Sequence, residues 1–111
     1  MEIVFRLETD LFRNEEFEVK GEWSFSTLPR MKEKIHPLLV INQKEFDIEK
    51  FKKEIIEEER ERIEEIEGKK KILKDFIHDL LEDVMFWKIK DIKYMPAGKD
   101  STSVIPLIII K

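Results

Sequence analysis

Residues 47–86, DIEKFKKEIIEEERERIEEIEGKKKILKDFIHDLLEDVMF, decide how the chain is built. At helical spacing Ile48, Phe51, Ile55, Ile56, Ile63, Ile66, Leu73, Ile77, Leu80 and Val84 fall within about 80° of one direction, the stripe of an amphipathic helix. The phase survives Gly68, and no Ser, Thr, Asp or Asn between Glu57 and Lys74 offers a second N-cap. Glu65 and Glu67 each stand four residues before a lysine, Lys69 and Lys71, which also supports continuity. Two starts compete. Asn42 would form a capping box with Glu45 and staple Ile41 to Phe46, whereas Asp47 would staple Phe46 to Phe51. Asp47 is preferred, because residues 40–46 can also turn back as a hairpin.

A single helix of about forty residues would be about 60 Å long, whereas a globular chain of this size has a radius of gyration of about 13 Å. Such a rod does not fit inside its own domain. It either projects and pairs with a second copy, or folds back at Gly68 as a helical hairpin with Lys69 to Lys71 near the negative end of the first helix. Glu59 and Lys70 interrupt the stripe and separate the two readings. In a hairpin Glu59 would face Ile77. In an antiparallel pair of copies crossing between Glu64 and Glu65, Ile63 faces Ile66, Glu59 faces Lys70 and Ile56 faces Leu73, each contact occurring twice about a two-fold axis. The expected arrangement is therefore a homodimer, with Ile56, Glu59, Ile63, Ile66, Lys70 and Leu73 as its interface.

On either side of this segment the period changes from helical to two. Ile3, Phe5 and Leu7 share one face of a short strand, and Phe17, Val19, Gly21, Trp23 and Phe25 alternate with Glu18, Lys20, Glu22 and Ser24 in a half-wet antiparallel one. Leu38 to Ile41 reads as a third, more buried strand. Trp87 to Met95 and Val104 to Ile110 read as a closing hairpin across the turn-rich stretch Pro96 to Ser101. Pro106 cannot donate to a ladder and predicts an edge or bulge. The apolar run Leu107 to Ile110 then has to be covered by the helix or paired with another chain. The fold class is α+β: one domain, residues 1–111, with a small, mainly antiparallel sheet from both chain ends and one long helix or helical hairpin, about 47–86, against it.

Composition narrows the chemistry. The 111 residues are 41% hydrophobic and 41% charged, with a formal net charge of -4, and there is no cysteine. A chain of this size buries an adequate core without disulfide or metal, and thiol, redox and zinc-ribbon chemistries are ruled out. Glu, Lys and Ile dominate, while Asn14, Asn42 and Gln43 are the only side-chain amides; this leaning suggests a thermophilic source. No apolar run approaches the roughly 20 residues that span a bilayer, and Met1 to Arg6 lacks the form of a secretory signal. A soluble cytoplasmic protein is expected.

No catalytic set assembles. Around His78, helical spacing places Asp75 and Glu82 on one side, and a His with a carboxylate at i+4 can share a metal; no third ligand is identifiable, and His36 reads as a surface histidine before Pro37. Asp10 followed by Glu18-Val19-Lys20 has the form of the Asp…Glu-x-Lys core of metal-dependent nucleases. Those enzymes place a helix before the first strand, and Glu18 and Lys20 are explained by the wet face of their strand. Ser101, Thr102 and Ser103 suit a turn and have no histidine base. Three glycines, Gly21, Gly68 and Gly98, build neither a phosphate-cradling loop nor a dinucleotide fingerprint.

Arg30, Lys32 and Lys34 beside Trp23 and Phe25, and Lys88, Lys90 and Lys93 interleaved with Trp87 and Tyr94, could grip phosphates and stack bases. The acidic belt from Glu54 to Glu67 opposes a polyanion. The same acidic face makes an interfacial membrane helix a poor reading. The expectation is a non-catalytic interaction or regulatory protein that self-associates through its helix, needs no cofactor, and has an unidentified protein as a further potential partner. Nucleic-acid binding and metal-dependent hydrolysis are the alternatives.

Overall fold

A computed structural model describes residues 1–67 and 73–111, the side chains at 66, 67 and 73 excepted. Its elements are β1 (Glu2–Glu8), β2 (Glu16–Glu22), α1 (Leu38–Ile41), α2 (Ile48–Glu54), α3 (Glu57–Glu67), α4 (Leu73–Val84), β3 (Ile89–Pro96) and β4 (Val104–Ile110). The four strands form one mixed sheet in the order β2-β1-β4-β3. The β1–β2 and β3–β4 pairs are antiparallel, and β1 runs parallel to β4 with Phe5 opposite Ile108 and Leu7 opposite Ile110. Among the described residues no helix is long and apolar enough to cross a membrane.

The odd residues of β1 and β2, Ile3, Phe5, Leu7, Phe17 and Val19, join Ile108 and Ile110 in one core with Phe51, Ile55, Ile63, Ile77 and Leu81 of the helical segment. Aromatic rings hold its middle: Phe12 stacks on Phe17 at 5.0 Å, and Phe51 meets both edge-on. The apolar run of β4 is thereby explained. A strand buried on both faces reads as continuous hydrophobics, and β4 sends Ile108 and Ile110 to the helices while Leu107 and Ile109 join Val4 in a second cluster on the opposite face. Its partner is β1 of the same chain. Pro106 lies one residue before the β1 ladder begins at Leu107, so a proline is accommodated in a strand that is interior only beyond it.

Two expectations are corrected. Leu38 to Ile41 is a single helical turn, because Pro37, with φ -52 and ψ -35, presets the helical conformation and its carbonyl accepts from the Val40 and Ile41 N–H groups. Val40 and Ile41 are buried and Leu38 and Leu39 exposed, a pairing that a strand with period two cannot give.

The second correction concerns residues 47–86, which are not one helix. The start is as expected: the Asp47 carboxylate accepts from the Glu49 and Lys50 N–H groups, and Phe46 packs on Phe51 at 5.7 Å as the hydrophobic staple. The helix then stops at Ile55, which is extended (ψ 159) and bridges to Phe12. The Leu11 carbonyl takes the Ile56 N–H at 2.9 Å, and the Arg60 guanidinium caps the freed Lys52 and Lys53 carbonyls at 2.8 and 2.9 Å. Both α3 and α4 bury a residue in the common core, Ile63 and Ile77, and the Arg62 guanidinium lies 5.6 Å from the Phe76 ring centroid. The molecule is 45 Å in its longest dimension, too short for the rod. The expected turn at Gly68 lies outside the described residues.

Candidate functional site

The polypeptide between β2 and α1 builds the most feature-rich surface of the molecule. Trp23 is buried against Phe5, its indole N–H donating to the Thr27 carbonyl at 2.8 Å, and this bends the chain out of the sheet. Phe25 packs edge-on against Trp23 at 5.2 Å yet keeps 60% of its surface in solvent. The chain then returns to flank the start of β3. Lys32 N–H donates to the Ile89 carbonyl, Ile89 N–H to the Glu33 carbonyl and Ile35 N–H to the Trp87 carbonyl, with Lys34 bridged to Lys88. Buried Ile35 anchors the segment, and His36 follows it on the surface.

His36 faces α4. Its ring lies nearly parallel to that of His78, at 13° with centroids 6.0 Å apart. The Leu38 N–H donates to His36 Nδ1 at 3.2 Å. His78 Nδ1 is 3.4 Å from an Asp79 oxygen and Nε2 is 3.5 Å from Glu82, one helical turn on. Asp79, not Asp75, is the neighbouring carboxylate on the N-terminal side of Glu82. Among the described residues, His78, Asp79 and Glu82 form the one group of three potential metal ligands, their ligand atoms within 4.8 Å of one another.

Beyond α4 the chain carries a second marked departure. Trp87 takes φ 57, a left-handed conformation costly for a bulky residue. This turns its indole inward, where the N–H donates to the Leu81 carbonyl at 2.9 Å, and Phe86 is left 80% exposed. Lys32 is also left-handed, φ 71. Two adjoining grooves share Lys34 and His36: one of about 660 Å³ lined by Trp23, Phe25, Met31 and Leu39, and one of about 410 Å³ lined by Glu82, Phe86 and Trp87. Exposed Phe25, Met31, Leu38, Leu39 and Phe86 thus border a single surface centred on His36.

Charge is arranged on the flank of this surface. Lys34 pairs across the ladder with Lys88, and Lys88 exchanges both backbone hydrogen bonds with Lys111, so three lysines stand in one cross-strand row. Like charges directly opposite one another cost stability, and none of the three has an ion-pair partner among the described residues.

The sequence candidates distribute unevenly over this geometry. Of the basic set, Lys32, Lys34 and Lys88 lie on the loop-and-β3 edge and Arg30 pairs with Glu33 beside them, whereas Lys90 is taken by Glu8 at 2.7 Å and Lys93 lies opposite Leu107 on the outer sheet face. Trp87 is core and offers no stacking platform; Tyr94 is exposed. Of the proposed dimer set, Ile63 is fully buried within its own chain, Ile56 is half-buried and Glu59 pairs with Arg62 at 3.2 Å. The side chains of Ile66, Lys70 and Leu73 lie outside the described residues. The register pairing Ile63 with a second copy required a continuous rod, and Ile63 is instead spent on the intrachain core. In the nuclease-like set, Glu18 accepts two hydrogen bonds from Arg6, at 3.1 and 3.0 Å, and belongs with Asp10 to no ligand group among the described residues. The Ser101 hydroxyl accepts from the Ser103 N–H, as a turn serine does.

Sequence reasoning missed the His36–His78 stack and the role of Lys111, both made by contacts between distant segments. The one local signal was the apolar content of residues 25–39, which exceeds what a solvated loop requires. No family model matches the chain, and neither a curated protein nor a solved structure is significantly similar to it.

Proposed function

We propose that the protein is a non-catalytic interaction module whose His36-centred surface binds an acidic protein segment carrying an apolar anchor. The observation that carries this reading is the unpaired Lys34–Lys88–Lys111 row flanking grooves bordered by Phe25, Met31, Leu39 and Phe86. Exposed aromatic and Met side chains are the usual anchors of protein interfaces. Stacked lysines cost the free protein stability that an anionic partner would return. A long polynucleotide is the weaker occupant: the formal net charge of -4 opposes a polyanion, and Trp87, the aromatic nearest Lys88 in sequence, is buried.

The test is panning of a displayed random peptide library on the purified protein, followed by fluorescence anisotropy of the selected peptides and of a single-stranded RNA of mixed sequence. Selected peptides rich in Asp and Glu with one or two bulky apolar residues, weakened at least about tenfold by Phe25→Asp or Lys88→Glu, are the expected result. Tighter binding of the RNA, or peptides indifferent to both substitutions, overturns the reading.

A further inference from the structure

His36 and Glu82 line the cleft between the 34–37 segment and α4, and the His36 ring is stacked on that of His78. His78 Nε2 is shielded from solvent and has no hydrogen-bond partner among the described residues. An imidazole normally uses both nitrogens, one as donor and one as acceptor, so a shielded Nε2 without a hydrogen bond is open to a ligand. Asp79 lies 3.4 Å from the opposite nitrogen, and in the tautomer with its proton on Nδ1 the lone pair is on Nε2. This carboxylate–imidazole arrangement orients metal-binding histidines. Glu82 stands one turn along the helix with its oxygen 3.5 Å from Nε2, a pairing in which one cation can take both ligands.

We propose that His78 Nε2, Glu82 and His36 bind one divalent transition-metal ion, with Asp79 as a positioning residue. Imidazole nitrogen with carboxylate oxygen suits Zn²⁺, Co²⁺ or Ni²⁺ rather than Mg²⁺ or Ca²⁺. The two rings lie parallel at 6.0 Å, so His36 closes the site by turning its ring and exchanging the 3.2 Å bond from Leu38 N–H for a metal bond. His36 is exposed and free to make that turn. Lys34 lines the same cleft, and its charge opposes the cation and weakens binding. The bound ion would fasten the residue 25–37 segment, which carries Phe25 and Met31, to α4. The site stands on residues separate from the lysine row and does not depend on the acidic-partner reading.

The experiment is calorimetric titration of chelator-stripped protein with Zn²⁺ alone, repeated with Co²⁺ by visible absorption, with circular dichroism to confirm that each variant is folded. One ion per chain is expected. His78→Gln and Glu82→Gln should abolish saturable binding. His36→Gln should weaken it at least about tenfold, and Asp79→Asn about tenfold with the Co²⁺ spectrum retained, the mark of a residue that orients a ligand without being one. Zn²⁺ should raise the melting temperature of the wild type and leave that of His78→Gln unmoved. Absence of saturable binding up to millimolar Zn²⁺, or unchanged affinity in folded His78→Gln or His36→Gln, overturns the proposal.

Discussion

The indole N–H of Trp87 donates to the carbonyl of Leu81 at 2.9 Å, so a residue just ahead of β3 caps the helix that precedes it. Helix-terminal carbonyls lack partners within the helix, and this one is buried. Trp87→Phe keeps an aromatic ring but orphans the carbonyl, and is expected to cost about 1–3 kcal/mol in urea unfolding. An unchanged midpoint would show that the left-handed backbone at 87 is held by packing alone.

Gln43 acts as a substitute strand for the end of β2. Its amide oxygen accepts from Glu22 N–H at 3.0 Å, and its nitrogen donates to the carbonyls of Glu22 and Leu39. A methyl group at Gly21 would come within 2.8 Å of that amide. Gln43→Ala and Gly21→Ala should therefore each destabilise by about 1–2 kcal/mol, and the double variant should cost well under the sum, since both break one clamp. Additivity in a thermal-unfolding cycle would separate the two.

Ile63 distinguishes a core residue from an interface residue. Ile63→Ala should lose about 2–5 kcal/mol of unfolding free energy, and Ile63→Lys should leave the protein largely unfolded by circular dichroism, because a buried charge without a partner is costlier still. A stably folded, monomeric Ile63→Lys would instead restore the helix-mediated dimer.

The lysine row makes an unusual prediction of sign. Lys88→Gln removes the central charge of three, so it should stabilise the free protein by a few tenths of a kcal/mol at low salt. The gain should shrink as ionic strength rises and screens the wild-type repulsion. Urea titrations at low and high NaCl check both statements. Destabilisation by Lys88→Gln at low salt would mean that the row is neutralised by a group not yet identified.

Much of the sheet was legible. Period-two alternation located β1, β2 and the closing hairpin, and the Asp47 cap with its Phe46–Phe51 staple was readable because capping is decided within a few residues. The break at Ile55 was not. Neither glycine, proline nor a capping side chain marks it, and it is made by the Leu11 carbonyl and the Arg60 guanidinium, partners that a local pattern does not reveal. The run Leu38 to Ile41 was ambiguous for a different reason: four apolar residues carry no period, and Pro37 was the deciding signal. The parallel alignment of β1 with β4 and the approach of His36 to His78 are long-range outcomes of packing, invisible to any window of sequence.

That parallel alignment has a kinetic corollary. Phe5 and Ile108 are neighbours across the sheet although about a hundred residues separate them along the chain, a loop whose closure is entropically slow. During synthesis the β1–β2 hairpin emerges early and must wait, with one flank of β1 open, until residues 107–110 follow. The growing chain is thus exposed to strand-mediated association for as long as the intervening residues take to be made. The Glu-rich stretch made in the interval, residues 57–67, would keep neighbouring nascent chains apart through charge repulsion.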